Sequence, residues 1–337
     1  MHNKKVLVLG GTGAMGVYLV PQLLQMGYTV HVVSLDQRHS SDPNLVYTRA
    51  DASDPAFLDR LLKGGYGAIV DFLLYGTEAF RQRYRTLLEN TDHYIYLSSY
   101  RVYADSASPI TENTPRLLDL SEDRDFLASE DYALYKARGE DLLTASPYGN
   151  WTAVRPAITY SKTRFQLVTL EANVHVCRMA QGKKVVLPRE ALEVQGTMTW
   201  AGDVAKMIAR LLHNPRAYRE FYTVATAEHR SWGEIAGYYQ EIGGMEYVAT
   251  DLERYLEILT GPQPNPHIRW QLLYDRMFQR VIDNAKILDA VQMKQSELMP
   301  LREGLERELT ALPAGYRWPE TPVNQRMDAF LSTSPLW

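Results

Sequence analysis

Residues 5–16 read KVLVLGGTGAMG. Five residues of apolar strand run into glycines at 10, 11, 13 and 16, and apolar residues then recur at helical spacing over 16–26, where Gly27 stops them. A chain turning this sharply from strand to helix needs a positive φ, which glycine adopts without steric cost. With no Cβ in the way, backbone N–H groups at the helix N-terminus can approach a pyrophosphate. Gly11-x-Gly13-x-x-Gly16 and Gly10-x-x-Gly13-x-x-Gly16 overlap here, in the strand–turn–helix setting that dinucleotide sites require. Gly10, Gly11, Thr12, Gly13, Ala14, Met15 and Gly16 are therefore the expected cradle of an NAD or NADP pyrophosphate.

Outward from this loop the pattern alternates. Strands are expected at 29–34, 45–49, 68–74 and 93–98, and helices at 55–62, behind Asp54 as N-cap, and at 78–90. Strands alternating with helices of this length predict an α/β fold with a doubly wound parallel sheet, helices on both faces and ligands at the strand C-termini. A further strand is expected at 151–155. Residues 104–131 are acidic and rich in turn formers, and read as a long loop over the cleft. Helices are expected at 132–143, 166–181, 203–213, 232–242 and 301–310, and the run 268–281 is apolar and basic at helical spacing. Short strands are expected at 185–187 and 221–224. The chain is expected to divide into 1–160, a dinucleotide-binding unit with its sheet completed by later segments, 161–317, and a tail, 318–337. The tail carries Pro319, Pro322 and Pro335 and is expected to pack on the surface or on a partner chain, a homodimer being one reading.

The 337 residues fit about two domains. With Lys plus Arg at 36 and Asp plus Glu at 40, the net charge is −4, a poor basis for phosphate-driven nucleic-acid binding. One cysteine, Cys177, excludes an intrachain disulfide and a Cys-based metal cage, and fits a reducing, cytoplasmic setting. The eight histidines are scattered without metal-ligand spacing, so no metal site is expected. No apolar run approaches the length of a membrane span, so no membrane partner is expected.

Cofactor choice is read at the end of the second strand, where an acid favours NAD and small or basic residues admit a 2′-phosphate. Ser34 falls where the acid usually sits, Asp36 two residues on, and Arg38 within reach of a phosphate, which tips the reading slightly to NADP. Asp51, followed by Ala52, either accepts from the adenine amino group or is a turn residue. Leu73, closing the fourth strand, is an expected lining residue.

Tyr132 and Lys136 lie four apart on a helix and share a face. A phenol has an ordinary pKa near 10, and an ammonium nearby lowers it. Ser99 closes the fifth strand at the edge where ligand is expected, and its hydroxyl can bond a substrate oxygen.

GGTGAMG, DASD, YLSSYRVY, YALYK and VRP, in that order, resemble the extended short-chain dehydrogenase/reductase family, which includes nucleotide-sugar epimerases, dehydratases and reductases. TWAGDVAKMI, DNAKILDAV and LREGLEREL resemble its later segments, so the resemblance spans roughly 4–312. It implies a Rossmann fold with a smaller C-terminal substrate domain, so that 161–317 would be mostly substrate-binding, NAD or NADP along the sheet edge, Tyr132 as acid/base, Lys136 on ribose and tuning Tyr132, and Ser99 polarising the substrate oxygen. It further implies a nucleotide sugar or related small molecule as substrate. Tyr100 and Arg101 occupy the places of the dehydratases' Asp-Glu pair, which disfavours 4,6-dehydration. Residues that grip diphosphate in epimerases are missing, with Arg164, Lys183, Lys184 and Arg189 as candidate replacements. The alternative is a dinucleotide-binding sensor or an RNA- or partner-binding relative, for which a tuned phenol has no use.

Overall fold

The computed structural model describes residues 3–333. Seven strands form one parallel sheet: β1 (Lys5–Leu9), β2 (Thr29–Ser34), β3 (Leu45–Arg49), β4 (Tyr66–Asp71), β5 (Thr91–Leu97), β6 (Trp151–Val154) and an edge strand, Glu220–Tyr222. Their order runs β3-β2-β1-β4-β5-β6 and then the edge strand. The order reverses beside β1, so the strand ends there open a crevice. Helix α1 (Gly16–Gln25) joins β1 to β2, α2 (Pro55–Leu62) joins β3 to β4, and α3 (Thr77–Glu89) joins β4 to β5. Asp54 caps α2 by accepting from the Ala56 N–H at 3.0 Å, as expected.

Alternation along β1 divides the core. Val6 and Val8 face a layer with Leu19 and Leu23 of α1 and Ile208 of the Ala201–Leu211 helix. Leu7 and Leu9 face a second layer with Leu58, Phe80 and Leu87. A strand buried on both faces reads as an unbroken apolar run, which is why KVLVL was legible.

The connection from β5 to β6 passes through a 3₁₀ turn at Tyr100–Val102, two short helices, α4 (Leu117–Leu120) and α5 (Arg124–Ala128), and then α6 (Tyr132–Thr144). The stretch 104–131 is therefore not the loop over the cleft that its composition suggested. Its acidic residues act as caps and ion-pair partners: Asp123 caps α5 through the Phe126 N–H, Asp131 caps α6 through the Ala133 N–H, and Glu130 accepts from the N–H and hydroxyl of Thr77 at the start of α3. Phe126 is fully buried and packs edge-on against Trp270.

Past β6, 166–181 is not one helix. Gln166–Leu167 and Leu170–Glu171 form an antiparallel hairpin, and only His175–Ala180 is helical. The 268–281 run is helical over Pro266–Gln271, widens into a π turn over Leu272–Arg276, and then leaves helical geometry. The expected helices at 203–213, 232–242 and 301–310 are present as Ala201–Leu211, Trp232–Gly243 and Leu301–Thr310. The tail carries a helix, Pro322–Thr333, whose Asp328 pairs with Arg178 at 2.8 Å. Pro335 lies outside the described residues.

A buried ion pair fastens α6 to the sheet. Arg155, following β6, donates to both carboxylate oxygens of Glu140 at 2.7 Å each, and Ser98 donates to the same carboxylate at 2.6 Å. Glu140 has no exposed surface and Arg155 is 3% exposed. Removing one partner of such a pair strands the other charge. Glu140→Ala should therefore lower the free energy of unfolding by about 3–5 kcal/mol in a urea titration. A loss under about 1 kcal/mol, the value of an exposed pair, would show that the pair does not hold α6.

Candidate active site

The glycine loop closes one wall of a cleft of about 340 Å³ at the strand C-termini. Gly10 has φ +73° and donates its N–H to the Val33 carbonyl at 2.8 Å, docking the loop on β2. A Cβ at Gly16 would lie 2.3 Å from the Gly11 carbonyl oxygen, so the close packing of loop on helix demands glycine there. Gly13 differs: a Cβ would meet only the Gly10 oxygen, at 3.4 Å, because its free side faces the cleft. Gly10, Gly13, Ala14, Met15 and Gly16 all line the cleft. Thr12 turns toward β2, where its hydroxyl shares a 2.6 Å hydrogen bond with that of Ser34. This cradle, open where the missing Cβ would sit, fits a pyrophosphate.

Around the adenosine end the candidates are less ordered. Ser34 also accepts from the Asp36 N–H at 2.9 Å, and Asp36 and Arg38 are exposed. Asp51 accepts from the Ser53 N–H at 2.8 Å, and the Ser53 side chain together with this N–H pulls its carboxyl down, so the turn reading has a direct structural basis. Ala52 is buried. Leu73 packs under the loop, its Cδ2 3.4 Å from where a Gly10 Cβ would lie. Of the four proposed diphosphate cations, Arg164 lines the cleft. Lys183 pairs with Asp328 and Lys184 with Glu246 instead, and Arg189 is not among the cleft's lining residues.

Ser99 and Tyr132 meet across the cleft from the glycine loop. The Ser99 Oγ accepts from the Arg101 N–H at 3.2 Å, which orients the side chain at the head of the 3₁₀ turn. Burial raises the Tyr132 pKa, while the nearby Ser99 hydroxyl and the Arg101 and Arg164 guanidiniums pull it back. Arg101 stands 5.1 Å from the Tyr132 ring centroid.

Lys136 is placed differently from expectation. It has no exposed surface, and its Nζ donates to the Leu97 carbonyl at 2.5 Å, with the Tyr132 ring centroid 5.8 Å away. The cations that pull the Tyr132 phenol down are accordingly arginines. Burial pulls Lys136 down to about 8, opposed by Asp71 and Glu140. Asp71, at the end of β4, is itself buried and accepts from the Leu73 N–H and from the Tyr94 and Tyr75 hydroxyls. Burial nonetheless pushes its carboxyl up.

The far wall holds residues that sequence reasoning missed: Gln166, Glu171, Gln271 and Arg276. The first two sit on the unforeseen hairpin and Arg276 in the unforeseen π turn, so no periodicity pointed at them. Asp71 was visible only as a lone acid in an apolar run. Among the described residues, no group of three or more His, Cys, Asp or Glu side chains could hold a metal ion. No helix among them is long and apolar enough to cross a membrane.

The family model described as NAD(P)H-binding matches residues 10–215, more than half of the chain. The chain therefore belongs to that family. Its fold is shared with solved epimerases. An epimerase of Methanothermobacter thermautotrophicus is 17% identical, with 92% of each chain covered and a TM-score of 0.67. The Thermus thermophilus UDP-glucose 4-epimerase, solved with NAD, is 19% identical, covering 91% of this chain and 98% of that one, with a TM-score of 0.66. The Bacillus cereus UDP-glucuronic acid 4-epimerase, solved with UDP-glucuronic acid and NAD, is 16% identical, covering 93% and 100%, with a TM-score of 0.68. Among curated proteins, the chloroplast stem-loop binding protein of 41 kDa b of Arabidopsis thaliana is 24% identical over 264 residues. That alignment takes in 72% of this chain and 64% of the relative's length.

Two measurements test the site. A side chain at Gly13 would fill the face open to the cleft, so Gly13→Val should abolish dinucleotide binding in calorimetry while the far-ultraviolet spectrum stays unchanged. Unaltered affinity for both NAD and NADP would remove the cradle. The second concerns Lys136, whose folded value of about 8 lies below its ordinary 10.5. The cost of burying its charge is in full force below about pH 8 and fades as pH rises toward 10.5. Wild type should therefore gain stability relative to Lys136→Met, on the order of 2 kcal/mol, as pH rises from about 8 to about 10. A flat difference across that window would show that Lys136 is not held with a depressed pKa.

Proposed function

We propose that this protein is an NAD(P)-dependent oxidoreductase or epimerase that moves a hydride at a carbon bearing a hydroxyl or ketone oxygen. The observation that carries this reading is that Ser99 and Tyr132 line one cleft together, facing the glycine loop across it. Gly10, Gly11, Gly13, Ala14, Met15 and Gly16 would hold the dinucleotide pyrophosphate, with Thr12 and Ser34 bracing the loop against β2. Bound there, the nicotinamide supplies or accepts the hydride. Ser99 donates to the reacting oxygen and holds it beside the Tyr132 phenol, which gives or takes the proton. A phenol raised by burial is protonated at neutral pH, the form needed to reduce a ketone, and Arg101 and Arg164 stabilise the phenolate left behind. Lys136, with no exposed surface and its Nζ on the Leu97 carbonyl, would reach a ribose only by leaving that carbonyl.

A nucleotide sugar or related hydroxy compound is the proposed substrate class. The Thermus and Bacillus structures named above are of UDP-glucose and UDP-glucuronic acid 4-epimerases, and Tyr100 and Arg101 lack the acid/base chemistry for dehydration. NADP is proposed to bind at least as well as NAD, because Ser34 is small and Arg38 stands exposed nearby. The Arabidopsis relative's name suggests a second reading, stem-loop RNA binding. Net charge −4 and the placing of Ser99 and Tyr132 together on the cleft both favour the enzyme.

Tyr132→Phe keeps the ring and removes the proton. On the true substrate, kcat should fall by about 10²–10⁴-fold, the usual worth of a general acid/base, with dinucleotide affinity nearly unchanged. Full turnover by this variant would displace Tyr132 from the role.

A further inference from the structure

We propose that the cleft recognises an oxyanion carried by the substrate, a carboxylate or phosphate next to the reacting carbon, held by Arg101 and Arg164. This rests on the oxidoreductase reading above and narrows its substrate class.

Arg101 is 14% exposed, and its Nε is buried without a hydrogen-bond partner among the described residues. Its two carboxylate neighbours stand off, Asp131 at 3.5 Å from a terminal nitrogen and Asp275 at 3.7 Å from Nε. Both are committed elsewhere. Asp131 caps α6 and pairs with His267 at 3.3 Å. Asp275, fully buried, takes Arg280 at 3.0 Å, the adjoining Arg276, and the Tyr100 hydroxyl at 3.1 Å. A guanidinium presents its N–H groups in a planar fork suited to an oxyanion, and a buried N–H left unpaired is costly. Arg101 therefore has donor capacity that the protein does not use, at a side chain lining the cleft beside Tyr132.

Charge balance points the same way. Arg101, Arg164, Arg276 and Arg280 are set against Asp131, Asp275 and Glu171, an excess of one positive charge around the cleft. Glu171 is exposed and hydrogen-bonded by Gln166. Arg276 is spent on Asp275, the Tyr100 hydroxyl and the Val168 carbonyl. Arg164 is exposed at the rim, and no carboxylate among the described residues pairs with it. Arg101 inside, held only at a distance by Asp131 and Asp275, and Arg164 at the mouth thus carry that excess of positive charge beside Ser99 and Tyr132. The neutral donors Gln166 and Gln271 complete the wall.

The test is calorimetry on protein saturated with whichever dinucleotide it binds, so that the glycine loop is filled. Three probes are titrated: inorganic phosphate, malonate as the carboxylate source, and glycerol as a neutral control. Wild type should bind phosphate or malonate and not glycerol, and the tighter of the two names the oxyanion. Arg101→Gln should weaken that binding by about tenfold or more, the expected loss of a charged hydrogen-bond donor, and Arg164→Gln, at an exposed position with little bearing on folding, should weaken it by a smaller factor. Dinucleotide affinity should be unchanged in both variants. No anion binding by the loaded wild-type protein, or equal anion binding in wild type and both variants, would overturn the proposal. Failure to bind either dinucleotide would instead overturn the oxidoreductase reading on which it rests.

Discussion

Two charged side chains on one helix, Lys136 and Glu140, have no exposed surface at all. They lie four residues apart on the face of α6 that meets the sheet. A charge taken from water must find partners or destabilise the fold. Lys136 finds the Leu97 carbonyl, and Glu140 finds Ser98 and Arg155. These three partners belong to β5, β6 or the residues directly after them, and Arg116, just ahead of α4, adds a contact to Glu140 at 3.4 Å. Rotating α6 by one residue would bring both charges against apolar surface, so satisfying them fixes the phase of the helix. Tyr132, one turn earlier on that helix, is thereby set beside Ser99. The candidate proton donor owes its place to electrostatic constraints deeper in the protein.

The N-terminus of α6 extends the constraint to the cleft. Asp131 caps the helix with one carboxylate oxygen and faces Arg101 and His267. A cap that would otherwise be local thus ties the helix carrying Tyr132 to the cation standing over its ring. Asp275 does the same from the opposite wall, gathering Tyr100, Arg101, Arg276 and Arg280. The π turn over Leu272–Arg276 is where the chain departs from regular helix to seat this group.

The nucleotide half was legible because its signals are local. KVLVL is buried on both faces, the glycines answer to positive φ and close approach, and Asp54 caps the helix behind it. The rest was less legible because its determinants are distant in sequence. In 166–171 the apolar residues fit a helix as well as a hairpin, and only Val168, at φ +52°, a conformation β-branched residues rarely adopt, marks the corner. The 268–281 run has helical spacing, yet Arg280 must leave the helix to reach Asp275 and the Tyr103 and Ala104 carbonyls. In 104–131 the acidic residues suggested a loop but are caps and ion-pair partners. Spacing placed Tyr132, Lys136 and Ser99 near one another, but it could not show that Lys136 points under the helix while Arg101 and Arg164 serve the phenol.

On the proposed function, the buried charges of α6 present the Tyr132 phenol to a nicotinamide. A crystal structure of the protein with its dinucleotide bound tests this most directly. The pyrophosphate is expected on the N–H groups of the glycine loop, with the nicotinamide ring facing the Ser99 and Tyr132 hydroxyls and α6 in the phase described here. A nicotinamide lying away from Tyr132, or an α6 rotated so that Lys136 or Glu140 leaves its partners, would contradict it.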